Sequence, residues 1–260
     1  MQRKLRFLAT ALVSGAVFFL TARADKFDDQ YQVVLDSKGK ASETERLHAL
    51  FAADWAYAMH EAPEAATYNG VPGGEDRWTD LSREAIAQRK QRVGRALPIL
   101  ATIDREKLGP VDRVSYDIFK RLGEEEVEGE QFPRELLQVN QMGGVQQDAA
   151  QTMSAMTVEN DAQLANELAR LKAVPRLVDQ TIVLLEEGLA KGVTPPQITL
   201  RDVADQVTNQ IPADPKDSPL LKGFMNLPPG VSGEQGAKLQ AEAKQVYAAH
   251  VATAIRIDSV

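Results

Sequence analysis

Apolar side chains recur at three- and four-residue intervals along most of the chain. Stretches with this spacing cover residues 42–62, 82–103, 110–128, 159–192 and 233–255. The interval places the apolar side chains of each stretch on one face of an α-helix. It predicts an all-α protein, a multi-helix array of amphipathic helices joined by irregular loops rich in proline and glycine.

Several helix ends can be predicted from single residues. Ser42 followed by Glu45 is typical of a capping box at a helix start, and Ser82 is a second N-cap candidate. Pro98 and Pro175 each interrupt an apolar stripe, and a proline inside a helix kinks or ends it. Gly192 is placed to end the helix that follows Pro175.

Strand-like alternation is weak and local. Only "RELLQVNQ" shows it, so the sequence allows at most a short strand near residues 135–141. No period of about 20 to 50 residues repeats, which argues against a helical solenoid. One helical domain over residues 42–260 is the simplest organisation.

The first residues are typical of an export signal. Basic residues precede an apolar run from Phe7 to Leu20, and Ala22 and Ala24 form a small-x-small cleavage site. An uncleaved anchor helix is the weaker alternative, because the run is shorter than the ~20 residues that span a bilayer. We therefore predict a signal peptide at residues 1–24, a flexible mature N-terminus at 25–41, and a periplasmic or extracellular location without membrane attachment after cleavage.

The net charge limits the classes of partner, and the cysteine content limits how the fold can be stabilised. The formal net charge is −7, and removing residues 1–24 takes away four basic and no acidic residues, which makes it −11. Such a surface disfavours nucleic acid and anionic membranes, which attract basic patches. No cysteine is present, so an exported chain must be stabilised by burial and not by disulfides.

The stretch "HEAPE" is superficially like the zinc-binding motif His-Glu-x-x-His. The second histidine is replaced by Glu64, and Pro63 interrupts the helix that would present both ligands. The chain has only two other histidines, His48 and His250. We therefore expect no cofactor and no metal site in this chain.

Three separate segments together resemble one bacterial family. "HEAPEAATYNG", "LLQVNQMGGVQQD" and "RLKAVPRLVDQTIVLLEEGLAKGVTPPQ" are similar, in this order, to segments of the family known as domain of unknown function 885. The resemblance covers residues 42–255. It implies a helical, often exported protein related to gluzincin-type zinc metallopeptidases.

The resemblance also implies what this chain lacks. In the family the zinc-binding His-Glu motif lies in a C-terminal catalytic half, and no position of this sequence matches it. The resemblance implies zinc for a full-length member only. It implies that the partner of this chain is the missing C-terminal catalytic half or a peptide or protein ligand.

The candidate substrate-binding residues are Asn140, Gln141, Gly143 and Gly144. An extended run followed by glycines can bring backbone N–H and C=O groups against a peptide, as in strand addition. The alternative is a plain turn before a helix that begins near Gln146. Residues 124–126 are consecutive glutamates that point in different directions around a helix, so we interpret them as a solvated face without the opposed pair of an acid–base site.

These observations lead to two hypotheses. The first is the N-terminal helical portion of an exported zinc-metallopeptidase-like protein, which shapes a peptide-binding cleft but is catalytically incompetent alone. The alternative is a stand-alone exported helical binding or scaffold protein without enzymatic activity. The first hypothesis predicts an exposed apolar patch where the other half docks.

Overall fold

The computed structural model describes residues 26–257, and their fold is all-α, as predicted. The predicted signal peptide at 1–24 lies outside the described residues. The α-helices are α1 (Lys26–Asp36), α2 (Glu43–Glu61), α3 (Pro63–Tyr68), α4 (Arg83–Arg92), α5 (Ala96–Leu100), α6 (Pro110–Gly129), α7 (Val145–Ala155), α8 (Asp161–Lys172), α9 (Val174–Lys191), α10 (Val203–Asn209), α11 (Lys222–Met225), α12 (Gly233–Val246) and α13 (Ala252–Ile257). A π-helical turn, Tyr247–Val251, joins the last two.

The prediction of a flexible segment at residues 25–41 is wrong. Residues 26–36 form α1, in which Phe27, Tyr31 and Val34 are buried. Their spacing of four and three residues makes a short apolar stripe that packs on α2, and the Tyr31 hydroxyl donates a hydrogen bond to Asp54 at 2.9 Å. The stripe is too short to stand out among the charged residues around it.

A first apolar core joins α1, α2 and α5, with part of α6 packed against it. Leu47, Leu50 and Leu100 are fully buried at its centre. The capping box predicted at the start of α2 is present, with Ser42 accepting from the Glu45 amide and Glu45 accepting from the Ser42 amide. This cap fixes where α2 begins, and therefore which face it turns to the core.

The apolar stretch that begins at Ser82 divides into two helices, and the division comes at an earlier residue than the sequence predicts. Ser82 caps α4 as predicted, but α4 ends at Arg92 and α5 starts at Ala96. The break falls at Gly94, which has φ +71°, and Pro98 is inside α5. Pro98 is tolerated there because α5 is short and its first turn needs no internal N–H donor.

A second, larger core is built from α7, α8, α9, α11, α12 and the π-helical turn. Leu164, Leu171 and Phe224 are fully buried in it. Pro175 stands in the first turn of α9 and separates it from α8, as predicted. Gly192 ends α9 in the left-handed conformation, with φ +68°.

The short strand allowed at residues 135–141 does not form. Residues 134–136 make a 3₁₀ turn, and the described residues contain only an isolated bridge between Asn140 and Gly143. Leu136 and Val139 are the buried residues and Leu137 is exposed, a spacing of three that suits a turn and not a strand.

Helix α6 leaves one apolar face in solvent. Its exposed residues Val111, Val114, Ile118 and Leu122 recur at three- and four-residue intervals and retain 78%, 57%, 55% and 59% of their surface, respectively. We call these four residues the α6 apolar face. Across the described residues, no helix has both the length and the apolar character to cross a membrane.

Candidate functional site

The loop that carries Asn140, Gln141, Gly143 and Gly144 is a closed turn. Asn140 and Gly143 exchange backbone hydrogen bonds, and the Gln141 amide donates to the Thr199 carbonyl at 2.8 Å. The Gly144 amide donates to the Asp148 carboxylate at 2.9 Å. These backbone groups already have partners, so the loop does not present an open edge for strand addition.

Three glutamine side chains donate hydrogen bonds to the backbone carbonyls of this loop. The Gln146 amide nitrogen donates to the Asn140 carbonyl at 2.9 Å and to the Gly143 carbonyl at 3.2 Å. Gln147 and Gln206 both donate to the Gln141 carbonyl. The loop is therefore fixed to the start of α7 and to α10, which makes it a rigid feature.

Gly144 is required by geometry at this place. Its φ is +129°, and a Cβ atom here would lie 2.5 Å from the Gln146 side-chain oxygen and 2.8 Å from the Gln138 carbonyl. A side chain would meet both a strained backbone conformation and a collision with backbone. Close packing at the entry to α7 thus explains the glycine at this position, and its role in substrate binding stays a prediction.

Gly144 lies at the edge of a cleft of about 480 Å³ between α3, α7 and α9, which we call the α3–α7–α9 cleft. Helix α3 contributes Glu64 and Tyr68, which are four residues apart and share one face. Helix α7 contributes Asp148 and Thr152, again four residues apart. The walls therefore carry carboxylate, phenol and hydroxyl groups over an apolar base that includes Leu177 of α9 and Trp78.

The three segments that resemble the family meet at this cleft. Glu64 and Tyr68 come from "HEAPEAATYNG", Gly144 from "LLQVNQMGGVQQD", and Leu177 from the segment around Pro175. Of the four candidate residues, only Gly144 lines the cleft, while Asn140, Gln141 and Gly143 form the turn that supports it. Asp148 and Thr152 were not predicted to line a site, and their helical spacing with Val145 was the available indication.

Arg170 fixes the wall formed by residues 63–78. Its guanidinium is fully buried and donates to the Gly74 carbonyl at 2.6 Å, the Thr67 hydroxyl at 2.8 Å and the Arg77 carbonyl at 3.1 Å. It also stacks over Trp78, whose indole N–H donates to the Arg170 carbonyl. Burial lowers the pKa of this guanidinium, and the nearby carboxylates of the same segment oppose that effect.

Asp80, just after this wall in the sequence, connects it to Arg176 and Gln180 of α9. Burial alone would raise the pKa of Asp80, but hydrogen bonds from Ser82 and Gln180 and the charge of Arg176 lower it to about 2. The Arg176 guanidinium lies 2.6 Å from the carboxylate, and Gln180 donates at 2.7 Å. The Asp80 carboxylate is thus ionised in the folded protein at neutral pH. Its hydrogen bonds and ion pair to α9 keep this side of the cleft in place.

The histidines lie apart from one another. His60 contacts Arg77, and His48 pairs with Asp112 at 2.9 Å. Within residues 26–257, no three histidine or carboxylate side chains are arranged to hold a metal ion. The residues that the structure describes therefore do not fit the zinc site of a metallopeptidase.

Comparison with known proteins gives one family. The family model described as "bacterial protein of unknown function (DUF885)" matches residues 63–257, from the start of α3 to the end of α13. No curated protein matches the chain. Because the match covers most of the chain, this protein belongs to the DUF885 family of bacterial proteins of unknown function.

Proposed function

We propose that this chain is the helical N-terminal portion of an exported zinc-metallopeptidase-like protein, in which the α3–α7–α9 cleft holds a peptide substrate. On this proposal the chain supplies a binding wall, and a second, catalytic half supplies the zinc. The observation that carries the proposal is the convergence of three distant family segments on one cleft. Segments far apart in sequence that meet at one concave surface are typical of a binding site.

The chemistry of the cleft suits a peptide. A peptide offers backbone N–H and C=O groups together with apolar side chains, and the cleft offers carboxylate and hydroxyl groups over Trp78 and Leu177. The walls are held by the buried Arg170 and by Asp80, so the cleft is formed before a ligand binds. A preformed cleft avoids the cost of ordering loops on binding.

The α6 apolar face supports the second part of the proposal. Four large apolar side chains in a row on one exposed helix are more than scattered surface residues, and such patches mark interaction sites. On our proposal this face packs against the catalytic half. The alternative, a stand-alone binding or scaffold protein, would use the same cleft without any hydrolysis.

A binding experiment tests the cleft directly. We expect a fluorescein-labelled random peptide library to bind the protein and Gln151→Trp to weaken binding about tenfold or more, since Gln151 is exposed at the cleft and a bulky side chain fills it without disturbing the core. Glu186→Trp, at an exposed site on α9 outside the cleft, is the matched control. Equal affinity for both variants would contradict a peptide site at the cleft.

The absence of catalysis is tested separately. We expect the purified chain to hydrolyse none of these peptides when zinc is added, because the described residues offer no metal-binding set. Stoichiometric zinc together with peptide hydrolysis by the chain alone would overturn the proposal.

A further inference from the structure

A small apolar cavity lies between α7, α9, α10 and α13. Its volume is about 130 Å³. Most of its lining is aliphatic and includes Val174, Val178, Val203, Val207, Leu220 and Ile255. An apolar cavity of about 150 Å³ can bind benzene, so this cavity has room for a molecule with one small ring.

The cavity is separate from the α3–α7–α9 cleft. Val145 and Ala149 of α7 and Thr181 of α9 line both spaces. Ala149 and Thr181 are buried, so the contact between α7 and α9 forms the partition between the two spaces. Binding in the cavity therefore does not depend on whether the cleft binds a peptide.

Gln146 brings a buried acceptor to the cavity lining. The side chain is 5% exposed, and its amide nitrogen donates to the carbonyls of Asn140 and Gly143. The opposite orientation of the amide would set its oxygen against two carbonyl oxygens, so these bonds fix the orientation. The Gln146 Oε1 is buried and has no hydrogen-bond partner among the described residues. Since the nitrogen faces the loop, this oxygen is the polar atom that the amide leaves for the cavity.

Two further polar side chains of the lining add acceptors. The Thr181 hydroxyl donates to the Leu177 carbonyl at 2.9 Å, so its oxygen has only acceptor capacity left. Gln210, just after α10, also has a buried Oε1 without a partner among the described residues. Its backbone carbonyl accepts from the hydroxyls of Ser218 and Tyr247, which fixes this residue in place.

These acceptors define the chemistry of a ligand. A buried acceptor without a donor costs free energy, and a ligand that supplies an O–H or N–H group removes that cost. Among the described residues, no charged side chain lines the cavity. A charged ligand would be buried without a counterion, so the lining favours a neutral one.

We propose that this cavity binds a small, neutral, apolar molecule with one hydroxyl or N–H group, about the size of phenol. The aliphatic side chains cover the apolar part of the molecule, and Gln146 Oε1 accepts the hydrogen bond that orients it. This is a second binding site, beyond the peptide cleft of the proposed function.

Two ligands of nearly equal shape test the hydrogen bond. Phenol carries a hydroxyl where toluene carries a methyl group. We expect calorimetry to show binding of phenol, and binding of toluene that is weaker by about tenfold or more. Equal affinities would overturn the proposed hydrogen bond. Failure of both ligands to bind would show that the cavity admits water only and would overturn the site.

A cavity-filling variant tests the location. Val207 is half-buried and lines the cavity, so Val207→Phe should fill it from α10 and weaken phenol binding about tenfold or more. Ala204→Phe, at an exposed site of the same helix, is the matched control and should bind phenol as the wild type does. Melting curves with and without phenol check that both variants are folded. Equal phenol binding by the two variants would overturn the location.

The role of Gln146 has its own variant. Gln146→Met keeps the length of the side chain and removes the acceptor, so the preference for phenol over toluene should shrink. The substitution also removes the donors to the loop, so its melting curve is measured first. An unchanged preference in the folded variant would overturn Gln146 as the acceptor, and the comparison of Val207→Phe with Ala204→Phe decides the location without it.

A last ligand separates a free molecule from a tyrosine side chain. N-acetyl-tyrosine amide should bind more weakly than phenol, because the cavity has no room for its backbone groups. Tighter binding that is lost in Val207→Phe would overturn a free molecule in favour of a peptide side chain. Peptide binding at the cleft without phenol binding would leave the proposed function standing and defeat this inference, and phenol binding without peptide binding would do the reverse.

Discussion

Glu167 is a carboxyl group inside the second core. It is 1% exposed, its Oε2 has no hydrogen-bond partner among the described residues, and a Cβ atom on Gly223 would collide with its Oε1. Burial raises the pKa of Glu167 from 4.5 to about 7. The carboxyl group is therefore protonated when the protein folds in mildly acidic solution.

This residue predicts a pH dependence of stability. The unfolded chain loses the proton near pH 4.5 and the folded chain near pH 7, so the free energy of unfolding should fall by about 1.4 kcal/mol per pH unit between these values. Glu167→Gln keeps the shape and removes the titration. We expect its urea unfolding to lose this slope relative to the wild type.

Other titratable side chains do not produce the same difference in pH-dependent stability between the wild type and Glu167→Gln. Asp80, with its pKa lowered to about 2, contributes stability that is lost only below about pH 4. Asp54 and Glu126 titrate in the same direction as Glu167, but they are present in both proteins that are compared. An identical slope in wild type and Glu167→Gln would contradict a raised pKa at this position.

The helices show which parts of the fold a sequence can predict. Helices α2 and α9 were predicted because each has a long stripe and local end residues, Ser42 with Glu45 in one and Pro175 with Gly192 in the other. Helix α1 was not predicted, because its apolar stripe consists of only three residues. The break at Gly94 was misplaced to Pro98 because the choice between them depends on how α4 and α5 pack.

The candidate site shows the same limit. Gly144 was identified because a glycine pair after an extended run is a local feature. No local feature predicted that Asp54 of α2 and Glu126 of α6 line one cavity, of about 820 Å³, because the two residues are far apart in the sequence. Local spacing indicated a solvated face for residues 124–126, and all three glutamates are exposed, although Glu126 also lines that cavity.

Helix α6 carries a prediction of its own. Ile118 is 55% exposed, so Ile118→Ser should change the free energy of unfolding by about 0.5 kcal/mol or less. On the proposed function it should nevertheless weaken association with a separately expressed catalytic half, because it removes apolar area from the α6 apolar face. Analytical ultracentrifugation of the mixture measures this association.

The neighbouring residue provides the contrast. Phe119 packs against the first core and lies 4.9 Å from the Phe51 ring, so Phe119→Ala should destabilise the fold itself. A loss of stability in Ile118→Ser as large as that in Phe119→Ala would contradict a free apolar face. Undiminished association of Ile118→Ser would contradict its role in docking.

On the scale of the whole molecule, one segment joins the two cores. Residues 63–78 run from the end of α2, in the first core, to Trp78, in the second. Gly73 and Gly74 have no side chains with which to anchor the loop between α3 and Trp78. Arg170, from α8, takes over that task by donating to carbonyl and hydroxyl groups of residues 63–78.

We therefore expect Arg170→Met to be among the most destabilising substitutions in the protein. It would remove the guanidinium donors to the Gly74 and Arg77 carbonyls and leave the buried Gly74 carbonyl with only a long bond of 3.4 Å from the Arg77 amide, a loss on the order of 3–5 kcal/mol. Arg176→Met is the matched control, because Arg176 is exposed and its single ion pair with Asp80 contributes about 1 kcal/mol or less. Urea unfolding measures the stability of both variants.

Because Arg170 also positions Glu64 and Tyr68 through the same segment, peptide binding should fall with stability in Arg170→Met and remain in Arg176→Met. Similar stability losses in the two variants would show that the segment is held by its other contacts and that the cleft does not depend on this arginine.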